Sequence, residues 1–258
     1  MNLIKRWFKI PTPHIFSKAF VEFMACAMFH FIGSVSATPY TNGLALIVLV
    51  YYTAKTSGAH LNPAVTLTFS ILGYTNPVEL IFYWIAQISG CAVGALFIAL
   101  LVPGQYIKQT DMGCFIPNHN ISHSRALGWE ALCTFNFMMP IFSVVWYTLH
   151  KAGYGNTGPI IIGLSLLVNA LVAAPYTGAA LNPARVLGSV IVFDCPSISY
   201  APYYIAGELI AAVLLPVIII PWYGICPDAW YFDLIDDKVL RYLREYQPTI
   251  KYERDSSV

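Results

Sequence analysis

The chain has 258 residues, of which 57% are hydrophobic and only 10% are charged, and its net charge is +1. A soluble domain carries about 25% charged residues, so water could not solvate this surface and the expected environment is a lipid bilayer. The near-zero net charge indicates no nucleic-acid partner. The six cysteines are scattered without a CxxC pair, so we expect neither a metal nor another cofactor.

Six apolar stretches are long enough to be transmembrane helices, since a span needs roughly 20 apolar residues. They cover residues 16–37, 42–57, 77–102, 125–149, 158–176 and 199–222. Two further apolar pieces, at 63–71 and 183–192, are too short to cross a bilayer. Pieces of that length at membrane depth are re-entrant half-helices that line a protein cavity. The sequence therefore predicts an all-α membrane protein with six transmembrane helices and two re-entrant half-helices.

Basic residues mark one side of the membrane as cytoplasmic, because they precede the first helix, separate the fourth from the fifth and follow the sixth. These bases are Lys5, Arg6, Lys9, Lys18, Lys151, Lys238, Arg241 and Arg244. An even number of spans places both termini on that side. We thus predict a membrane domain at 16–222 between a cytoplasmic segment at 1–15 and a cytoplasmic tail at 223–258. The tail could contain an amphipathic helix at about 230–246.

The loop at about 103–124 is external in this orientation. It contains the sequon Asn120-Ile121-Ser122, which can be glycosylated only on that face. Cys114 in this loop and Cys195 in a later one should face the same side. A disulfide between them is one option, but we favour two free thiols.

The sequence repeats itself internally. Residues 57–64 read SGAHLNPA and residues 177–184 read TGAALNPA, which are identical at six of eight positions and 120 residues apart. The same offset pairs Tyr83 with Tyr203. A repeat of this kind predicts two structurally equivalent halves.

Each half, at about 16–102 and 125–222, contains three helices with a half-helix between the second and the third. Because three is odd, the two halves insert with opposite orientation, and such inverted repeats form a pathway at their interface. The first helix of each half carries a glutamate at the same depth, Glu22 and Glu130. We interpret both as structural carboxylates that accept hydrogen bonds from the segment before each half-helix. The alternative is a proton carrier of a transporter, since intramembrane carboxylates are often functional.

The two Asn-Pro-Ala motifs open the half-helices. They comprise Asn62, Pro63, Ala64, Asn182, Pro183 and Ala184. Proline at the first helical position loses no hydrogen bond, and asparagine before it caps the helix with its side-chain oxygen. Each asparagine would then direct its amide NH2 into the lumen, and each half-helix N-terminus would add about half a positive charge. Water could pass such a site, whereas protons and cations would be repelled.

The segments before the motifs must be non-helical, so that their carbonyls can turn inward as a ladder of acceptors. We assign to this ladder Gly58, Ala59, His60, Leu61, Gly178 and Ala180. For His60 a role in pH gating is the alternative. An apolar wall should face the ladder, and Phe29, Leu46 and Leu166 fall where its residues would be, although packing residues look the same.

Two ionisable residues, Arg185 and Glu208, have no ionisable partner in the repeat. Arg185 follows the second motif where the first has Val65, and a lone arginine at a pore mouth indicates a filter. Glu208 has Ile88 as its partner by the 120-residue offset, so we place it outside the paired architecture. It could snorkel, pair across an interface or touch a vestibule. We interpret His30 as a hydrogen-bonded interior histidine.

The segments SGAHLNPAVTL at 57–67 and YTGAALNPAR at 176–185 together resemble the major intrinsic protein family, the aquaporins and aquaglyceroporins. The resemblance covers nearly all of residues 16–222 and implies an aquaporin-like right-handed bundle. It also implies a homotetramer in which each protomer has its own pore. The filter positions carried over from the family are Asn42, Ala170, Ala179 and Arg185.

This filter departs from both main groups of the family. Water-selective members have an aromatic residue at the position of Asn42 and usually histidine at that of Ala170, and glycerol channels have aromatics at the first and third positions. Glycerol channels also carry Asp where this chain has Val186, whereas Tyr203-Tyr204 resembles the water-selective group. The small side chains predict a wide, polar opening.

The resemblance therefore implies a passive channel for water and small neutral solutes such as glycerol or urea. A water-selective aquaporin is the alternative within the family. A secondary transporter and a structural junction protein are alternatives of other classes. An enzyme is not expected, because no nucleophile–base pair or metal cluster accompanies the motifs.

Overall fold

The computed structural model describes residues 14–36, 38–149 and 154–223, and within these ranges every regular element is a helix. The α-helices are α1 Ile15–Ser36, α2 Pro39–Ser57, α3 Pro63–Ile71, α4 Pro77–Leu101, α5 Gly104–Thr110, α6 His123–Leu149, α7 Gly158–Thr177, α8 Pro183–Val192 and α9 Ala201–Tyr223. The amphipathic helix predicted at 230–246, Lys151, and nearly all of the assigned terminal segments lie outside the described residues.

Five helices, α1, α4, α6, α7 and α9, are long and apolar enough to cross a membrane. The 19-residue α2 is more polar, but it packs against α1 and α7 and is therefore counted as the sixth span. The all-α membrane architecture predicted from the sequence is confirmed. The predicted spans begin and end within three residues of the observed helices. The short α5 in the loop after α4 was not predicted.

The half-helices α3 and α8 have nine and ten residues and begin at Pro63 and Pro183, as predicted. Each half-helix packs against the last long helix of the other half, α3 against α9 and α8 against α4. The two halves also correspond in their other pairings, since α1 packs on α4 as α6 packs on α9. The halves therefore interlock, and α3 and α8 meet at their N-terminal ends.

Glycines allow the long helices to approach closely. A Cβ atom at Gly90 would lie 2.3 Å from a backbone carbonyl oxygen of α1, and one at Gly94 would lie 2.4 Å from another. Gly207 of α9 meets a carbonyl oxygen of α6 in the same way, at 2.4 Å. The Gly90-x-x-x-Gly94 motif thus serves packing within the protomer.

Cys114 and Cys195 form a disulfide, with their Cα atoms 5.6 Å apart. This corrects our preference for two free thiols. The cysteines are 81 residues apart in the sequence, and they meet because the loop between α5 and α6 folds over the C-terminal end of α8. Among the described residues, Cys26, Cys91 and Cys133 are free thiols, and all three are buried.

The outward surface of the bundle is apolar. Large hydrophobic side chains such as Phe16, Tyr52 and Leu100 are 71%, 82% and 79% exposed. Water would not solvate such a surface, whereas lipid chains would. Together with the length of the helices, this makes the chain a multi-pass integral membrane protein.

Candidate pore and selectivity filter

Three adjoining cavities run through the bundle. The outer cavity has a volume of about 230 Å³ and the inner cavity about 430 Å³. A central space of only about 10 Å³ separates them, sharing Arg185 with the outer cavity and His60 with the inner one. A space of that size holds about one water molecule. The three cavities together form a candidate pore with its narrowest part at the two Asn-Pro-Ala motifs.

Asn62 and Asn182 cap the half-helices. The side-chain oxygen of Asn62 accepts from the N–H of Ala64 at 2.9 Å, and that of Asn182 accepts from the N–H of Ala184 at 3.0 Å. Both asparagines have extended backbone and are 3% exposed. This is the capping geometry that an asparagine before a proline predicts.

The two asparagine side chains also cross between the halves. Asn62 Nδ2 donates to the carbonyl oxygen of Leu181, and Asn182 Nδ2 donates to that of Leu61, both at 2.8 Å. From the sequence we expected the whole amide group to point into the lumen, so one of its two protons must be reassigned. Among the described residues, the second proton of each amide has no acceptor. The correction arises because the half-helices meet end to end, which sequence alone does not reveal.

The segments before the motifs are non-helical and adopt left-handed backbone at equivalent positions. In the first half the φ angles of Ala59 and Leu61 are 53° and 50°, and in the second those of Ala179 and Leu181 are 56° and 50°. A non-glycine residue in this region is uncommon and costs about 1–2 kcal/mol. The same strain in both halves indicates that the conformation serves the site.

The ladder residues assigned from the sequence all line the pore. Gly58 and Ala59 line the inner cavity, Leu61 and Ala180 the central space, His60 both, and Gly178 the outer cavity. Two of the carbonyls in these segments, those of Leu61 and Leu181, are already occupied by the asparagines.

Glu22 and Glu130 support the strained segments. The carboxylate of Glu22 accepts from the N–H groups of His60 and Leu61 at 3.0 and 2.7 Å. That of Glu130 accepts from Ala180 and Leu181 at 3.3 and 2.8 Å. Both glutamates are completely buried. Each carboxylate thus satisfies two backbone donors that the left-handed conformation leaves without a helical partner, which is the structural role that the paired positions predict.

The register of the last helix differs by one residue from the sequence alignment of the halves. Tyr83 donates to the carbonyl of Ser57 at 2.6 Å, and the equivalent bond to Thr177, at 2.7 Å, comes from Tyr204 rather than from Tyr203. The offset in this helix is therefore 121 residues. The longer connection after α8 supplies the additional residue.

This register explains Glu208, which corresponds to Gln87 and not to Ile88. Gln87 Nε2 donates to Glu22 at 2.8 Å, and Glu208 lies beside Glu130 at the equivalent position. Glu208 also accepts from the N–H of Asn182 at 2.7 Å and is completely buried. Our interpretation of Glu208 as lying outside the paired architecture was therefore wrong.

The four residues assigned to the filter meet at the outer cavity. Asn42, Ala170, Ala179 and Arg185 all line it. Ala170 and Ala179 present only methyl groups, which occupy less of the cavity than larger side chains would. Gly33 and Phe115 line the cavity beside them, and neither was predicted from the sequence.

Arg185 is held between two aromatic rings. Its guanidinium carbon lies 4.9 Å from the ring centre of Phe29 and 5.0 Å from that of Phe115. Cation–π contacts of this kind stabilise a desolvated cation by about 2 kcal/mol. No described carboxylate forms an ion pair with Arg185. The cation therefore stays at the boundary of the outer and central cavities with its charge uncompensated by a direct ion pair.

The inner cavity is lined by charged and aromatic side chains. His60 stacks on Phe69 with ring centres 5.3 Å apart, and its Nδ1 lies 3.2 Å from Thr66 Oγ1. Lys18 Nζ lies 3.1 Å from Glu79 Oε1 at the cavity wall. His60 thus lines the inner and central cavities, and its role in an inner pore stays a prediction.

The apolar wall of the central space consists of phenylalanine and leucine. Phe29, Leu46 and Leu166 line it, as their sequence positions suggested, and Phe137 joins them without having been predicted. His30, in contrast, is buried with no hydrogen-bond partner among the described residues for either ring nitrogen. This corrects our interpretation of a hydrogen-bonded interior histidine, which rested on the usual behaviour of buried polar groups.

Comparison with known proteins connects this geometry to a family. The sequence model of the major intrinsic protein family matches residues 9–219. Aquaporin TIP2-1 of Zea mays is 32% identical over 197 residues, which cover 67% of this chain and 75% of the relative. Aquaporin-8 of Mus musculus is 29% identical over 211 residues, which cover 77% of this chain and 79% of the relative.

A solved structure has the same fold. The aquaglyceroporin from Plasmodium falciparum superposes with a TM-score of 0.67, covering 88% of this chain and 99% of that chain at 21% identity. At this identity the likeness concerns the fold alone.

Proposed function

This chain belongs to the major intrinsic protein family, and from that premise we propose that it is a passive channel for water and small uncharged solutes such as glycerol or urea. Members of this family are passive channels and not enzymes, so transport should follow the solute gradient. The observation that carries the proposal is the meeting of Asn62 and Asn182 at a one-water constriction, below a filter with two alanines.

Proton and ion exclusion should come from the same constriction. The N-termini of α3 and α8 each contribute about half a positive charge there. The remaining amide protons of Asn62 and Asn182 can donate to one water oxygen, which prevents that water from relaying a proton. Arg185 adds a full positive charge at the filter. Cations thus face repulsion at two successive levels of the pore.

The breadth of the substrate range follows from the filter. Alanine at two of the four filter positions leaves room that an aromatic residue would occupy, which favours solutes larger than water. The names of the relatives do not decide between a water-selective channel and a channel for larger solutes, since they include aquaporins and an aquaglyceroporin. A water-selective channel remains the second candidate, supported by the small central space.

The loop between α5 and α6 supports an orientation. It carries Cys114 of the disulfide and the exposed Asn120 of the glycosylation sequon. Both features fit an oxidising compartment outside the cytoplasm. We place both termini, on the opposite side, in the cytoplasm. Homotetramer formation is proposed from family membership.

Permeability measurements on reconstituted liposomes test this function. Fast shrinkage in a sucrose gradient and rapid re-swelling in glycerol or urea are expected, while an enclosed pH dye should show no added proton flux. Fast water flow without solute entry would identify a water-selective channel instead. Saturable uptake driven by an ion gradient would indicate a transporter, and negligible permeability a structural protein. Ala179→Phe is the matched variant, in which solute entry should stop first.

A further inference from the structure

Gly33 of α1 lies directly against the filter. A Cβ atom built on it would be 2.2 Å from Asn42 Oδ1 and 3.1 Å from Arg185 Nη2. Real Cβ atoms essentially never lie within 3.0 Å of a non-bonded heavy atom. Any side chain at position 33 would therefore displace the Asn42 carboxamide.

The Asn42 carboxamide is folded back towards α1. Its Nδ2 donates to the carbonyl oxygens of Thr38 and Gly33, at 3.0 and 3.4 Å. Its Oδ1 is buried and has no hydrogen-bond partner among the described residues. The oxygen thus occupies the space that the missing side chain of Gly33 leaves free.

We propose that Gly33 is a specificity-determining residue of this channel, because its missing side chain lets Asn42 lie against α1 and keeps the outer opening wide. The inference rests on the proposed function and adds a fifth position to the four carried over from the family. With any larger residue at 33, the carboxamide would turn into the outer cavity. There it would narrow the opening between Ala170, Ala179 and Arg185.

The backbone does not require glycine at this position. Gly33 lies inside α1 and has no positive φ, so alanine would be the better helix former at this position. It also differs from Gly90 and Gly94, whose added Cβ atoms would meet rigid backbone carbonyls. At Gly33 the nearest atom is the end of a side chain that can rotate. Space for the Asn42 carboxamide is therefore the main requirement at position 33, since the other close atom, Arg185 Nη2, lies further away at 3.1 Å and ends a flexible side chain.

The test compares Gly33→Ala, Asn42→Ala and the double variant in liposomes. In Gly33→Ala the displaced carboxamide should lower glycerol and urea permeability about tenfold. This is the change that one additional small group in a specificity pocket typically causes. Water permeability should fall less, because water is smaller. In the double variant the new methyl group has no carboxamide to displace, so permeability should return to that of Asn42→Ala.

Gly128→Ala is the matched control, since a Cβ atom at Gly128 would meet nothing within 4 Å. It should leave all permeabilities unchanged. The double variant controls for folding, because it carries the same added methyl group as Gly33→Ala. Unchanged solute permeability in Gly33→Ala, or a loss that persists in the double variant, would overturn the proposal.

The variants still test the role of Gly33 if the wild-type channel excludes glycerol and urea. The proposed solute range would then be wrong, and the comparison would be made on water permeability alone. A fall in Gly33→Ala that the double variant reverses would still support the role of Gly33. Equal water permeability in all variants would overturn it.

Discussion

Replacing Glu22 with alanine should weaken both the fold and the pore. The carboxylate accepts hydrogen bonds from Ser57 Oγ at 2.6 Å, His60 N at 3.0 Å, Leu61 N at 2.7 Å and Gln87 Nε2 at 2.8 Å. Each buried donor left unpaired costs about 1–3 kcal/mol. The two backbone N–H groups alone therefore predict a loss of about 2–6 kcal/mol in Glu22→Ala.

The free energy of unfolding in detergent and the water permeability of liposomes, scaled to folded protein, measure this effect. Glu22→Gln keeps one acceptor oxygen and should lose about half as much stability as alanine. Glu79→Gln is the control, since it weakens the ion pair with Lys18 but keeps an oxygen that can accept from it, and it should cost less than Glu22→Ala. If Glu22→Ala unfolds like the wild type and conducts water equally, the carboxylate does not support the segment before α3.

Three further predictions follow from the site. Glu208→Gln should unfold like the wild type, because its amide can donate as that of Gln87 does. Glu208→Leu leaves the N–H of Asn182 unpaired and should lower the free energy of unfolding by about 1–3 kcal/mol. Cys195→Ser, or a reductant, should release the loop that carries Phe115, which faster amide hydrogen exchange in that loop would reveal. Ala59→Gly should change the free energy of unfolding by less than about 1 kcal/mol, because relief of left-handed strain offsets added chain entropy, whereas Ala59→Val should be clearly destabilising.

The sequence was a sufficient guide to the helices because their signals are local. A transmembrane helix needs only length and apolar composition, and a half-helix needs only its cap and its first proline. Asn62 and Pro63, with their repeats at 182 and 183, therefore predicted the starts of α3 and α8 to the residue. The paired glutamates were also predictable, since each half repeats the same local requirement.

The misassigned residues all depend on contacts between distant segments. Glu208 was paired with Ile88 because the sequence alone allows Tyr83 to align with either Tyr203 or Tyr204. The two alignments differ by one residue in register. The disulfide joins residues 81 apart, and the sequence placed Cys114 and Cys195 on one side of the membrane without showing that their loops touch. The second role of the asparagine amides required the two halves to meet.

The sequence by itself determined that this protein has six spans and two half-helices that each begin at an Asn-Pro-Ala motif, because composition, capping and repetition act over a few residues. Only the tertiary structure decided what shapes the filter. The left-handed Leu61 and Leu181, the rings on either side of Arg185 and the space beside Gly33 all arise where the two halves or their loops pack together. Their geometry depends on contacts between segments that are far apart in the sequence, which no local pattern encodes.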